Sequence, residues 1–128
     1  MIVVRTGVDL SSISALERRA TRSRNDFVGR FWTERERAES AGQYSRLAAR
    51  WAAKEATMKT LGWGIGKLDP TDIEVVTIGA VPTLRLHRTA IGRAEDLGLQ
   101  QWSLSLSHEG DLAVALVVAI GESQDDKE

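Results

Sequence analysis

Trp51-Ala52-Ala53-Lys54-Glu55-Ala56-Thr57-Met58-Lys59 lies inside an alanine-rich run over 45–61 that holds no glycine or proline and stops at Gly62. Alanine is the best helix former and a terminal glycine supplies a left-handed cap, so the run predicts a helix over 45–61. On that helix Glu55 and Lys59 share a face one turn apart, and Lys54 sits beside Glu55. A carboxylate flanked by two ammonium groups has two readings. One is a solvated i,i+4 charge pair worth ~0.2–0.5 kcal/mol. The other is a grip on a divalent cation together with a polyphosphate. The neighbours Trp51, Ala52, Ala53, Ala56, Met58 and Leu61 have a buried composition, and charges set among packing residues usually have partners.

Outward from this helix the pattern alternates between strands and short helices. The Ile- and Val-rich stretch 2–10 reads as a strand with Asp9 near its end. Ser11 or Ser12 can cap a following helix whose apolar stripe is Ile13, Leu16 and Ala20. The stretch 27–32 is aromatic and semi-apolar. Thr33-Glu34-Arg35-Glu36 has the form of a capping box and predicts a short helix through Ala41. Beyond Gly62-Trp63-Gly64-Ile65-Gly66, a glycine-rich loop, 72–78 and 83–87 read as a hairpin turning over 79–82. A short amphipathic helix follows over 88–97. Strict alternation in Trp102-Ser103-Leu104-Ser105-Leu106-Ser107 predicts a half-buried strand, His108 to Asp111 a turn, and 112–120 the returning strand. Counted by principal elements, the order is βααββαββ. The expectation is an α+β fold with one domain over 1–122 and a disordered polar tail over 123–128.

Composition narrows the function classes. The chain has 128 residues, 42% hydrophobic and 27% charged, which suits one domain with one core. No run approaches the ~18–20 apolar residues of a membrane span, and the first residues lack a signal-peptide pattern, so no membrane partner is expected. The absence of cysteine excludes disulfides and thiolate metal sites and fits a cytoplasmic location. The net charge of −1 conceals a balance of +6 over 1–67 and −7 over 68–128. The basic excess peaks at Arg18, Arg19, Arg22 and Arg24. That cluster is either a solvated helix face or a docking surface for an acidic partner. No groove-reading motif accompanies it, so nucleic acid is not the expected partner.

Few other side chains invite chemistry. Asp9 alone is as well explained as a turn or cap residue. Paired with Glu55 it forms two hard oxygen ligands, which suit Mg²⁺. Free backbone N–H groups around Gly62 and Gly64 could approach phosphates, although the motif is no P-loop because Lys59 precedes the glycines. His108, next to Ser107, is either a surface turn histidine or a phosphate donor and proton carrier. His87 has no acidic or nucleophilic sequence neighbour and reads as structural. No nucleophile elbow is present.

Four pieces in order resemble the acyl-carrier-protein-synthase type of 4′-phosphopantetheinyl transferase. They are Gly7-Val8-Asp9, Phe31-Trp32-Thr33-Glu34-Arg35-Glu36, Ala49 through Lys59 with its W-x-x-K-E-x-x-x-K pattern, and Leu104-Ser105-Leu106-Ser107-His108. The resemblance covers nearly the whole chain and implies the small single-domain branch of the family, with homotrimers holding coenzyme A at subunit interfaces. It further implies Mg²⁺-dependent transfer of phosphopantetheine from coenzyme A to a serine of an apo acyl or peptidyl carrier protein, releasing 3′,5′-ADP. The alternative is a catalytically idle module that binds coenzyme A or the carrier.

By this resemblance Asp9 and Glu55 are the metal ligands and, with Lys59, the catalytic set. Lys59 would meet the pyrophosphate, with Lys54 supporting the same charge. The coenzyme would also be held by the Gly62–Gly64 loop. Arg50, Ser107 and His108 would lie near the adenosine 3′-phosphate, while Arg18, Arg19, Arg22 and Arg24 face the carrier. The serine proton has three candidate acceptors: Glu55, Asp9 or a metal-held water. Three positions depart from the family pattern: Ser12 stands for a Glu, Ala15 for a basic residue that meets the carrier, and Trp63 for a small loop residue. These departures bear on which carrier is served.

Overall fold

A computed structural model describes residues 1–23 and 26–123. Its first strand, β1 (Ile2–Ser12), leads into four consecutive helices: α1 (Ile13–Arg22), α2 (Asp26–Phe31), α3 (Glu34–Ser40) and α4 (Tyr44–Leu61). A 3-10 turn over Pro70–Asp72 precedes the hairpin β2 (Ile73–Ile78) and β3 (Val81–Leu86). Helix α5 (Arg88–Asp96) and a second hairpin, β4 (Leu99–Glu109) and β5 (Leu112–Glu122), complete the fold. The α+β class agrees with the sequence. The order does not: the described chain runs βααααββαββ rather than βααββαββ. Of the two additional helices, α3 is the short one expected from the Thr33 capping box but not counted in that order, and α2 is unforeseen, held by packing of its rings. Phe27 and Phe31 lie 5.1 Å apart, and Phe31 lies 5.3 Å from Trp51 of α4. The expected tail over 124–128 lies outside the described residues.

The two hairpins form separate sheets. One is antiparallel with order β1-β5-β4, and the other is the β2–β3 pair. The tight turn of the smaller hairpin uses Gly79 and Ala80, both at positive φ, as a two-residue connection requires. Helix α4 crosses the inner face of the three-stranded sheet. Its Ala48, Ala52, Ala53 and Ala56 are fully buried, Ala48 clustering with Ala113 and the other three with Ala115 and Val117 of β5. Small residues on both surfaces let helix and sheet come close.

Gly7 takes that approach to its limit. A β-carbon there would stand 1.9 Å from the Ala56 carbonyl oxygen and 2.6 Å from Thr60 Oγ1, so only glycine fits. Alternation along β1 puts Asp9 on the same face as Gly7, toward α4.

The other face of the sheet is apolar and open. Ile2, Val4, Val8 and Leu10 of β1 and Leu112, Leu116 and Ile120 of β5 are between 37% and 66% exposed in the single chain. No helix of the described residues is long and apolar enough to cross a membrane.

Candidate active site

The nonapeptide sends its charges in two directions. Glu55 and Lys59 emerge beside β1. Lys59 Nζ donates to Asp9 Oδ1 at 3.0 Å and to the Val8 carbonyl at 2.9 Å. Asp9 and Glu55 open on one cavity of about 280 Å³, whose walls also include Ser12, Ala15, Arg19 and Trp51. Partial burial and the neighbouring Asp9 charge raise the Glu55 pKa above the ordinary carboxylate value, and Lys59 offsets only part of this. Two carboxylates that repel each other in a half-desolvated cleft favour a cation between them.

Lys54 turns the other way, which corrects the expectation that it supports the same charge. It is fully buried, and Nζ donates to Glu36 Oε1 at 2.6 Å, to the Pro70 carbonyl at 2.9 Å and to the Ile73 carbonyl. An ammonium has three donors, and all three are taken inside the protein. Burial lowers the Lys54 pKa despite the opposing pull of Glu36. Glu36 is the capping-box residue foreseen at α3. Its carboxylate accepts from Thr33 N at 2.9 Å and from Val75 N at 3.0 Å, while Thr33 Oγ1 accepts from Glu36 N. One buried ion pair thus ties α3, α4 and β2 together.

Arg50, Ser107 and His108 do come together, in a second and larger cavity of about 640 Å³. The hairpin of β4 and β5 brings them there. His108 is still in strand β4, opposite Ala113, rather than in the expected turn, and it shares the inward side of the strand with Leu106. Arg50 is nearly buried. Its Nη2 donates to Glu39 Oε1 at 3.3 Å and to Thr77 Oγ1 at 3.4 Å, and its Nε has no hydrogen-bond partner among the described residues. Burial pushes the Glu39 pKa up, but hydrogen bonds from Arg35, Thr77 and Arg50 bring it below the usual value. Gln43 and Arg46 also line this cavity. Arg46 precedes Arg50 by one helical turn, a spacing from which its place here was readable; Glu39 and Thr77 carried no such signal.

Gly62 and Gly64 join neither group. Gly62 is the left-handed cap of α4, at φ 72°. It lies ~18 Å along the helix axis from Arg50, at 1.5 Å per residue. Arg5 Nε donates to the Thr60 carbonyl at 2.7 Å and Arg93 Nε to the Leu61 carbonyl at 2.9 Å, which neutralises the negative end of the helix. Arg93 also stacks on Trp63, 4.4 Å from its centroid. His87 stands at the N-terminus of α5, with Nε2 3.0 Å from Oε1 of Glu74, an acidic partner thirteen residues away in sequence.

On α1, Arg18, Arg19 and Arg22 are exposed, and the stripe of Leu16 and Ala20 is buried. Arg19 bends over the Phe27 ring, 4.7 Å from its centroid, at the edge of the Asp9–Glu55 cavity. Arg24 lies outside the described residues.

Comparison with known proteins agrees along the length of the chain. A model of the 4′-phosphopantetheinyl transferase superfamily matches residues 5–117. The holo-[acyl-carrier-protein] synthase of Herpetosiphon aurantiacus is 44% identical, with 91% of this chain and 98% of that protein covered. The Gloeobacter violaceus synthase is 39% identical, covering 91% and 92%. Among solved structures, the ACPS-CoA complex of Chronobacterium ammoniagenes superposes with a TM-score of 0.84 at 26% identity, covering 94% of this chain and 98% of that one. The Helicobacter pylori holo-[acyl-carrier-protein] synthase in complex with coenzyme A gives 0.81 at 30% identity, covering 89% and 98%. The chain belongs to the 4′-phosphopantetheinyl transferase superfamily and, within it, to the holo-[acyl-carrier-protein] synthases.

Proposed function

We propose that this protein transfers the 4′-phosphopantetheine group of coenzyme A to a serine hydroxyl of an apo acyl carrier protein. The new bond joins the serine oxygen to the phosphorus that bears the pantetheine. The bond that breaks is the pyrophosphate P–O bond, and 3′,5′-ADP leaves with the bridging oxygen. The observation that carries this reading is the shared cavity of Asp9 and Glu55 with Lys59 bonded to Asp9. Phosphoryl transfer asks a protein mainly for positioning and for neutralisation of developing charge.

Mg²⁺ fits the carboxylate pair. The donors are hard oxygens, and partial burial together with the Asp9 charge raises the proton affinity of Glu55. No group of three or more metal-binding side chains occurs among the described residues. Mg²⁺ commonly takes only one or two carboxylates and completes its shell with water and substrate phosphates. Asp9 and Glu55 would hold it. When bound, it would supply Lewis-acid neutralisation of the phosphate charge. Lys59, 56% exposed at its side chain, would turn from Asp9 to the pyrophosphate. Arg50, Ser107 and His108 would hold the 3′-phosphate end, and the backbone at Gly62 and Gly64, outside both cavities of its own chain, would border a coenzyme shared with a neighbouring copy.

We take the working unit to be a homotrimer. Its support is the apolar outer face of β1 and β5, where seven Ile, Val and Leu side chains stand exposed in the single chain as they would at a contact between copies. The two cavities flank α4 within one chain, and a coenzyme at a subunit interface would join the nucleotide cavity of one copy to the carboxylates of the next. Residues 1–122 form the catalytic unit, and the lack of cysteine suits work in the cytoplasm.

The reading is tested by incubating the protein with coenzyme A, Mg²⁺ and apo acyl carrier protein and weighing the carrier by mass spectrometry. The carrier should gain one phosphopantetheine, and the gain should stop when Mg²⁺ is chelated. A protein that binds coenzyme A but modifies no acyl or peptidyl carrier would instead be the idle binding module.

A further inference from the structure

The β4–β5 hairpin reaches both halves of the machinery. Its Ser107 and His108 line the larger cavity, and three residues on, Asp111 grips the start of α1. Asp111 Oδ2 accepts from Ser12 Oγ at 2.8 Å and from Ser14 Oγ at 2.7 Å, and Oδ1 accepts from Ser14 N at 2.8 Å. The Asp111 backbone carbonyl accepts a fourth bond, from Ile13 N at 2.8 Å. Ser12 Oγ is at the same time the cap of α1, accepting from Ala15 N at 3.2 Å.

These four contacts span about a hundred residues of sequence and meet at the junction between Asp9 and the basic helix. Helix α1 has ten residues and buries Leu16 and Ala20, with Leu16 packed among Trp32, Leu47 and Ala48 and Arg19 resting on Phe27. Its first turn holds no acidic side chain, and the bonds of Ser12, Ile13 and Ser14 to Asp111 anchor that end of the helix to the β4–β5 hairpin. Hydrogen bonds to a carboxylate are about twice as strong as neutral ones. The bonds from Ser14 and Ser12 hold the Asp111 pKa below the usual value. Arg18 lies near enough to Asp111 to add a favourable charge interaction.

We infer that Asp111 is a positioning residue for the carrier: through Ser12 and Ser14 it sets the direction of α1, and with it the presentation of Arg18, Arg19 and Arg22 beside the Asp9–Glu55 cavity. This rests on the reading of α1 as the carrier-docking helix. It gives Ser12 a use that its departure from the family pattern leaves unexplained, because a glutamate at that position would face Asp111 with like charge.

The experiment is steady-state kinetics with a type II apo acyl carrier protein and coenzyme A, each varied in turn. Asp111→Ala is expected to raise KM for the carrier about tenfold while kcat and KM for coenzyme A stay within about twofold. Asp111→Asn keeps an acceptor oxygen and should fall between wild type and Asp111→Ala. Ser14→Ala added to Asp111→Ala should cost nothing more.

An unchanged or lowered carrier KM in Asp111→Ala overturns the inference, a lowered value meaning that Asp111 acts only by repelling an acidic carrier. Equal losses for both substrates overturn it too, as general destabilisation. Should Asp111→Ala fail to fold, the carrier KM of Asp111→Asn decides by the same criterion. Charge reversal at Arg18 and Arg22 separates the two levels. If that variant keeps wild-type carrier KM at low salt, the docking reading falls. If it raises KM while Asp111→Ala does not, only the positioning inference falls.

Discussion

Lys54 and Lys59 lie five residues apart on one helix and have opposite fates. Lys54 is sealed in the interior with Glu36, each fully buried, and holds three helix and strand segments together. Lys59 is half exposed and paired with Asp9, on the side where the proposed function places the pyrophosphate. In sequence both are lysines beside the same glutamate. A helix turns 100° per residue, which points Lys54 toward Glu36 and the Pro70 and Ile73 carbonyls, while Glu55 and Lys59, one turn apart, both emerge beside Asp9. On the proposed function one flank of α4 is architecture and the other is chemistry, and substitutions on the two flanks should fail in different ways.

The largest effect is expected from Glu55→Gln. Removing one ligand of a two-carboxylate site should lower turnover about 10³-fold, roughly 4 kcal/mol of transition-state stabilisation. Stability should move the other way. The Glu55 pKa is raised in the fold, so the folded state holds that proton more tightly than the unfolded chain. Ionised Glu55 thus costs stability above its folded pKa, a cost absent below the unfolded value. In neutral buffer without divalent ions the variant should melt at or above the wild-type temperature. A variant that keeps full Mg²⁺-dependent turnover would remove Glu55 from the site, and one that loses activity by unfolding would move Glu55 to the architectural flank.

Lys54→Ala should show the mirror image. It leaves Glu36 as an unpaired charge in the interior, a change that costs about 3–5 kcal/mol. For a chain of this size that corresponds to a drop of roughly 10–20 °C in melting temperature. The protein that remains folded at low temperature should retain near-normal KM for coenzyme A. A raised KM with an unchanged melting temperature would return Lys54 to the pyrophosphate.

Much of the local fold on both flanks was legible in the sequence, but the parting of Lys54 from Lys59 was not. The capping box at Thr33, the alternation over 102–107 and the alanine-rich helix each follow from local chemistry, and each stands where expected. What stayed hidden depends on distant segments. The burial of Lys54 follows from carbonyls at Pro70 and Ile73 and from Glu36, none of them near in sequence. Helix α2 is six residues with mixed propensity, and it forms because its rings stack on Trp32 and Trp51. The pairing of Asp9 with Lys59 required the close approach at Gly7, whose need for glycine appears only once Ala56 is placed behind it.

The smallest effect tests whether the Arg50 cavity is a third kind of region, binding without either architecture or chemistry. Arg50 is buried like Lys54, but its partnership is incomplete: its contacts to Glu39 and Thr77 are long, and Nε is unmatched among the described residues. An unsatisfied buried donor costs about 1–3 kcal/mol, which an incoming phosphate oxygen would recover. Arg50→Ala should therefore raise KM for coenzyme A about tenfold, close to 1.4 kcal/mol, with kcat little changed. The penalty should vanish with dephospho-coenzyme A, which lacks the 3′-phosphate. A penalty of equal size on both co-substrates would mean that Arg50 holds α4 against β2 rather than the nucleotide, and it would join Lys54 on the architectural side.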